Sequence, residues 1–210
     1  LGFGDKNAVE FIEFNVEAGK LACRCTDATV AQFVGVSDNV VVIPHQWQHV
    51  AVVQAADSSG PKFYVNGVRI ASTNSTTTDL NEWFNNCDGI DSGRVGAANK
   101  AGDDSVTQEF VGAITDLKYY NTALTDAQIH ADSLRSHLTT GCIAWYEMKD
   151  LTDTATGAGT YALTAVSDVY LTPSYNNFIC MVRKFGALAA DFVGMAECDG
   201  KITALIVNAA

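Results

Sequence analysis

Lys62-Phe63-Tyr64-Val65-Asn66-Gly67-Val68-Arg69-Ile70 is the stretch from which the fold is read. Asn-Gly supplies the two consecutive positive φ angles of a type I′ turn, whose twist matches that of paired strands. The turn sets the register. Val65 should face Val68, Tyr64 should face Arg69, and Phe63 should face Ile70. Tyr64 and Arg69 then share one face, where a cation–π contact is one reading and simple cover for the sheet is the other.

Outward from this hairpin, strand patterns dominate. Residues 8–16 set Val9, Phe11 and Glu13 against Glu10, Ile12 and Phe14, with apolar side chains on both faces. Runs 21–25, 30–36, 40–43 and 48–54 follow, divided by turn-forming stretches such as Ser37-Asp38-Asn39 and the loop 55–61. Residues 72–78 read as a Ser/Thr-rich loop. Residues 94–96 read as a short strand and 110–120 as a long one. One helix is expected: Thr125 and Gln128 form a capping box, and Ile129, Leu134 and Leu138 form a thin apolar stripe. About ten strands and one helix predict an all-β, two-sheet antiparallel jelly-roll sandwich.

Composition narrows the classes. A chain of 210 residues that is 48% apolar and 18% charged is neither a disordered tail nor a membrane protein, and no run is long enough for a transmembrane helix. A net charge of −11 repels phosphate backbones, which excludes nucleic acid as a partner. The same acidity suits Ca²⁺, or it simply keeps a secreted protein soluble. Leu1-Gly2-Phe3-Gly4 is neither an initiator Met nor a signal peptide, so the chain is expected to be processed or a piece of something longer.

The 6 cysteines are Cys23, Cys25, Cys87, Cys142, Cys180 and Cys198, with no Cys-x-x-Cys pair to suggest zinc. Cys23 and Cys25 lie on one face of a strand, so each needs its own distant partner. Disulfides of undetermined connectivity are expected; buried reduced thiols are the alternative. The triplet Asn74-Ser75-Thr76 is a glycosylation acceptor, which also points to secretion.

Five blocks in order carry a resemblance: Trp47-Gln48-His49-Val50-Ala51-Val52, Lys62-Phe63-Tyr64-Val65-Asn66-Gly67, Gly93-Arg94-Val95-Gly96, the stretch 110–121, and Ala123-Leu124-Thr125. The chain resembles the laminin G-like, pentraxin-like branch of the concanavalin A-like lectin and glucanase superfamily. The resemblance implies a sandwich with ligand and Ca²⁺ sites on loops at one rim. One departure stands out: a segment like Gly141-Cys142-Ile143-Ala144-Trp145-Tyr146 opens such domains, yet here it follows the helix that closes them. Residues 1–140 are therefore taken as the jelly-roll core. Residues 141–210 are taken as completing the sandwich by permutation or by donation to a neighbouring subunit, with a cut from a tandem array as the rival.

Loops supply the candidate site. Trp83 and Phe84 offer flat faces for a sugar ring, Asn85, Asn86 and Asp103 offer polar contacts, and Asp88 and Asp91 offer hard oxygens for calcium. The bland alternative is a solvated loop with Trp83 packed beneath it. His45 and His49 would sit about 13 Å apart on a strand, too far for one metal, and read as rim residues around a core Trp47. Superfamily glucanases carry Glu-x-Asp-x-x-Glu, which is absent, and Glu10 and Glu13 face opposite sides of a strand, so no catalytic residue is named. The expected function is a non-catalytic extracellular module binding glycans or matrix proteins. A structural subunit of a self-assembling filament, coat or appendage is the alternative, and a polysaccharide-active enzyme a distant third.

Overall fold

The computed structural model describes residues 1–147 except 56, 88, 101, 104 and 106, and the backbone of 169–172, 179–182 and 205–208. In chain order the elements are β1 (Gly2–Gly4), β2 (Phe11–Glu17), β3 (Lys20–Asp27), β4 (Val30–Ser37), β5 (Val50–Val53), β6 (Lys62–Val65), β7 (Val68–Ile70) and β8 (Ser72–Thr77). Then come β9 (Ser92–Arg94), β10 (Ala113–Ile114), β11 (Leu117–Tyr120), α1 (Asp126–Ser133), β12 (Cys142–Tyr146), β13 (Val169–Thr172), β14 (Ile179–Val182) and β15 (Leu205–Asn208). The first sheet runs β8-β4-β3-β2-β1-β9 and is antiparallel throughout. The second runs β12-β11-β15-β5-β6-β7, with β15 parallel to both neighbours. A small third sheet runs β10-β14-β13.

Period-two alternation divides the side chains between layers. Ile12, Phe14, Leu21, Cys23, Cys25 and Phe33 of the first sheet meet Val52, Phe63, Leu117 and Tyr146 of the second in the sandwich core. The other face of the second sheet buries Ala51, Val53, Tyr64 and Tyr120 beneath Leu124 and Ile129. That sheet is covered on both sides, which explains the unbroken apolar run Val50-Ala51-Val52-Val53.

The hairpin forms as its turn dictates. Asn66 and Gly67 have φ of 50° and 77°, and the three predicted pairs are all present. The cation–π contact is not made: Tyr64 is buried, its hydroxyl donating to Asp126 at 2.7 Å, while Arg69 stays exposed. The capping box also forms, with Thr125 as N-cap. The helix ends at Ser133, however, so Leu134 is exposed and the stripe is shorter than expected.

Other expectations change. Residues 40–43 make no strand, because Gln48 takes over their backbone: its Oε1 accepts from Ile43 N–H at 2.7 Å and its Nε2 donates to the Val41 carbonyl at 3.0 Å. Residues 72–77 form edge strand β8 against β4, since its threonines suit a half-exposed pleat. The run 110–120 breaks into β10 and β11 where Asp116 takes φ 56°. His49 is buried at 2% exposure and is no rim residue; Nε2 lies 3.7 Å from Asp132 Oδ2, beneath α1. Trp47 is only half-buried. Lys118, fully buried, meets Asp132 of α1 at 2.9 Å and so ties the helix to β11.

The runs beyond residue 141 that complete the sandwich do not pair with the sheet that holds 8–16. They join the other sheets instead: β12 pairs with β11, β15 lies between β11 and β5, and β14 pairs with β10 and β13. In the first sheet β9 already pairs beside β1 and β8 beside β4.

Candidate functional site on the outer face of the first sheet

β2 sends Ile12 and Phe14 into the core, so Glu13, Asn15 and Glu17 project from the opposite face. Arg24 on β3 lies opposite Glu13 in the ladder. Its guanidinium donates to Glu13 at 3.0 Å and grips both oxygens of Glu17 at 2.6 Å. Asn15 Nδ2 donates to Glu17 at 3.1 Å and to Glu13 at 3.4 Å.

A loop completes this face. Gly2 and Gly4 have no side chains, and a Cβ there would come 2.7 Å from Ala98 Cα and within contact of the Asn99 carbonyl oxygen, so only glycine lets residues 97–99 lie across β1. Reciprocal backbone bonds between Ala98 and Thr107, of 2.8 and 2.9 Å, close the loop. It delivers Lys100 to Glu13 at 3.1 Å, with the ammonium 5.3 Å from the Phe11 ring centre, and Gln108 to Asn15 at 3.5 Å.

Two carboxylates bonded to one guanidinium nitrogen invite comparison with the carboxylate pair of retaining glycosidases. Hydrogen bonds from Arg24 hold Glu17 below the usual carboxylate range, opposite to what a general acid requires. Glu10 is a carboxyl held high, chiefly by burial, and it is engaged elsewhere with Gly89.

The predicted loop residues are distributed differently. Trp83 is a correction: at 1% exposure it stacks on Phe33 at 6.1 Å and meets Phe84 edge-on, so its ring is core and offers no sugar platform. Asn85 and Asn86 are exposed. Asp91 accepts from Lys6 N–H at 3.0 Å, and Gly102, beside Asp103, rests on Ala8, so both aspartates sit around the turn between β1 and β2. Asp103 is exposed and held low by the Ser105 hydroxyl and N–H. Asp88 lies outside the described residues. Calcium needs six to eight oxygens. Among the described residues no three His, Cys, Asp or Glu side chains converge on a metal site.

Asn74 sits on β8 with Nδ2 donating to the Ser59 carbonyl at 3.3 Å, the same nitrogen a glycan would take. Cys23, Cys25, Cys87 and Cys142 are buried thiols. Cys180 falls in β14, of which the backbone is described, and Cys198 lies outside the described residues. The sequence signal for this face is the spacing of Glu-Phe-Asn-Val-Glu at 13–17, which places three polar groups on one side of a strand, while Arg24 joins them only through the β2–β3 pairing.

The laminin G-like family model of the concanavalin A-like lectin/glucanases superfamily matches residues 3–130. The chain belongs to that superfamily. Laminin G-like domains of this kind are carbohydrate- or protein-binding modules, which fits an outer sheet face lined with fixed polar groups. No curated protein matches the chain. Among solved structures, residues 221–444 of an S-layer domain-containing protein from Clostridium thermocellum ATCC 27405, determined at 2.1 Å, are 18% identical. That match covers 63% of this laminin G-like chain and 61% of the other, with a TM-score of 0.33.

Proposed function

We propose that the chain is a non-catalytic extracellular recognition module that takes glycans or matrix proteins on the outer face of its first sheet. The observation that supports this reading is the pair Asn15 and Glu17, fixed by Arg24 over the buried Glu13, with Lys100 beside the half-buried Phe11 ring. Acceptors already held in place have little rotamer freedom left to lose on binding. Sugar hydroxyls or polar groups of a protein ligand would meet a preformed surface. Arg24 holds Glu17 low, which does not suit that residue to a general acid's role.

The test is a glycan array and a panel of extracellular matrix proteins, each run with Ca²⁺ and with a chelator. Asn15→Ala and Glu17→Ala are expected to weaken the bound ligand at least about tenfold, the worth of one hydrogen bond, with the fold retained and, for Glu17→Ala, a lower unfolding midpoint from the lost Arg24 pair. Asn85→Ala, Asn86→Ala and Asp103→Ala should leave binding intact. Binding that ignores Asn15 and Glu17, or that is lost in the loop variants instead, contradicts the sheet-face site; a chelator-sensitive signal shows that binding uses calcium.

A further inference from the structure

We infer that Cys25 and Cys87 close a disulfide in the oxidised protein, joining β3 to the segment that follows Trp83. Their Sγ atoms lie 3.7 Å apart, and both thiols are buried in the sandwich core. The approach is set by independent packing. Cys25 pairs with Phe33 in the β3–β4 ladder, and Trp83 stacks on that same Phe33 at 6.1 Å. The Trp83 carbonyl then accepts from Asn86 N–H at 2.9 Å and Cys87 N–H at 3.2 Å, a tight turn that returns Cys87 to the strand beside Phe33. Cys23 points to the same core, but it sits two residues, about 6.6 Å, along β3. Cys142 belongs to the separate apolar cluster beneath α1.

The bond forms by thiol–disulfide exchange with a protein or small-molecule disulfide as oxidant. One cysteine thiolate attacks the oxidant, which releases its first thiolate and leaves a mixed disulfide on the protein. The second thiolate attacks the protein sulfur of that mixed disulfide and expels the second. Two protein S–H protons are lost, one S–S bond is exchanged for another, and the oxidant is reduced to two thiols. Once the core closes, the neighbouring Cys87 thiol and burial push the Cys25 thiol far up, so exchange belongs to folding, before the loop docks. The inference is independent of any ligand.

Its test uses the full chain refolded with a mixture of reduced and oxidised glutathione. Free thiols are alkylated under denaturing conditions, and the protein is digested with trypsin without reduction. Cleavage after Arg24 separates Cys23 from Cys25, so the two are told apart by mass. The expected result is one peptide pair joining Cys25 to Cys87, with Cys23 alkylated. Alkylation of both Cys25 and Cys87, or linkage of either to another cysteine, overturns the inference. Cys87→Ala should leave Cys25 alkylated; Cys25 found cross-linked in that variant overturns it as well. The wild-type map decides the matter even if the variant does not fold.

Discussion

Glu10 stands just before β2, 7% exposed, with Oε1 accepting the Gly89 N–H at 2.9 Å. Burial raises its carboxyl pKa; the Gly89 bond offsets part of that, and Asp27 and Asp5 add to it. A carboxyl with a higher pKa folded than unfolded favours the native state fully below its unfolded pKa, and that contribution is lost as pH rises through the raised value. Glu10→Gln keeps an oxygen for Gly89 and removes the titration. The variant is expected to melt above wild type at neutral pH, with the gap closing by about pH 4. Melting curves across that range check it, and a gap independent of pH contradicts it. Asp132 behaves in the opposite sense: burial raises its pKa, but the adjacent His49 ring and the Lys118 ammonium bonded to it outweigh this and hold it low, so its contribution is present at neutral pH and fades in acid.

At the scale of elements, the β6–β7 turn is fixed from two sides. Gly67 has φ +77°, and a Cβ there would lie 2.9 Å from His130 Cα and closer still to Ser133 Oγ, so the turn is pressed against α1. Gly67→Ala gains about 0.4–1 kcal/mol by stiffening the unfolded chain, yet incurs about 1–2 kcal/mol for the left-handed conformation, before any clash is counted. A lower denaturant midpoint is expected, and an unchanged one contradicts a type I′ turn docked on the helix. The proposed Cys25–Cys87 link joins residues 62 apart in sequence and would add about 4 kcal/mol through loss of unfolded-state entropy.

For the whole molecule, the decisive element is the last. β15 lies parallel between β11 and β5, and β12 covers the far edge of β11 while giving Ala144 and Tyr146 to the core. A chain cut at residue 140 would expose two unpaired strands in the middle of the second sheet and an uncovered apolar face. The fragment 1–140 is expected to aggregate, and supplying 141–210 in trans is expected to restore solubility. A soluble fragment that unfolds cooperatively contradicts this and favours a self-sufficient 1–140 unit. Light scattering and denaturant titration separate the two outcomes.

What was legible in the residues alone was local in origin. Asn66-Gly67 dictates a turn because backbone φ is a property of two residues, and Thr125 with Gln128 marks a helix start because a cap spans one turn. The strand blocks likewise placed the chain in its superfamily, since each carries its alternation within itself. Only the tertiary structure decided that Trp83 is core, that Lys118 and Asp132 are buried together, that Gly2 and Gly4 admit the loop bearing Lys100 to Glu13, and that Cys87 meets Cys25. In each of these the partners are far apart in sequence, and their meeting depends on which strands become neighbours. That choice is made by how the two sheets bury their apolar faces together, not by any short stretch of chain.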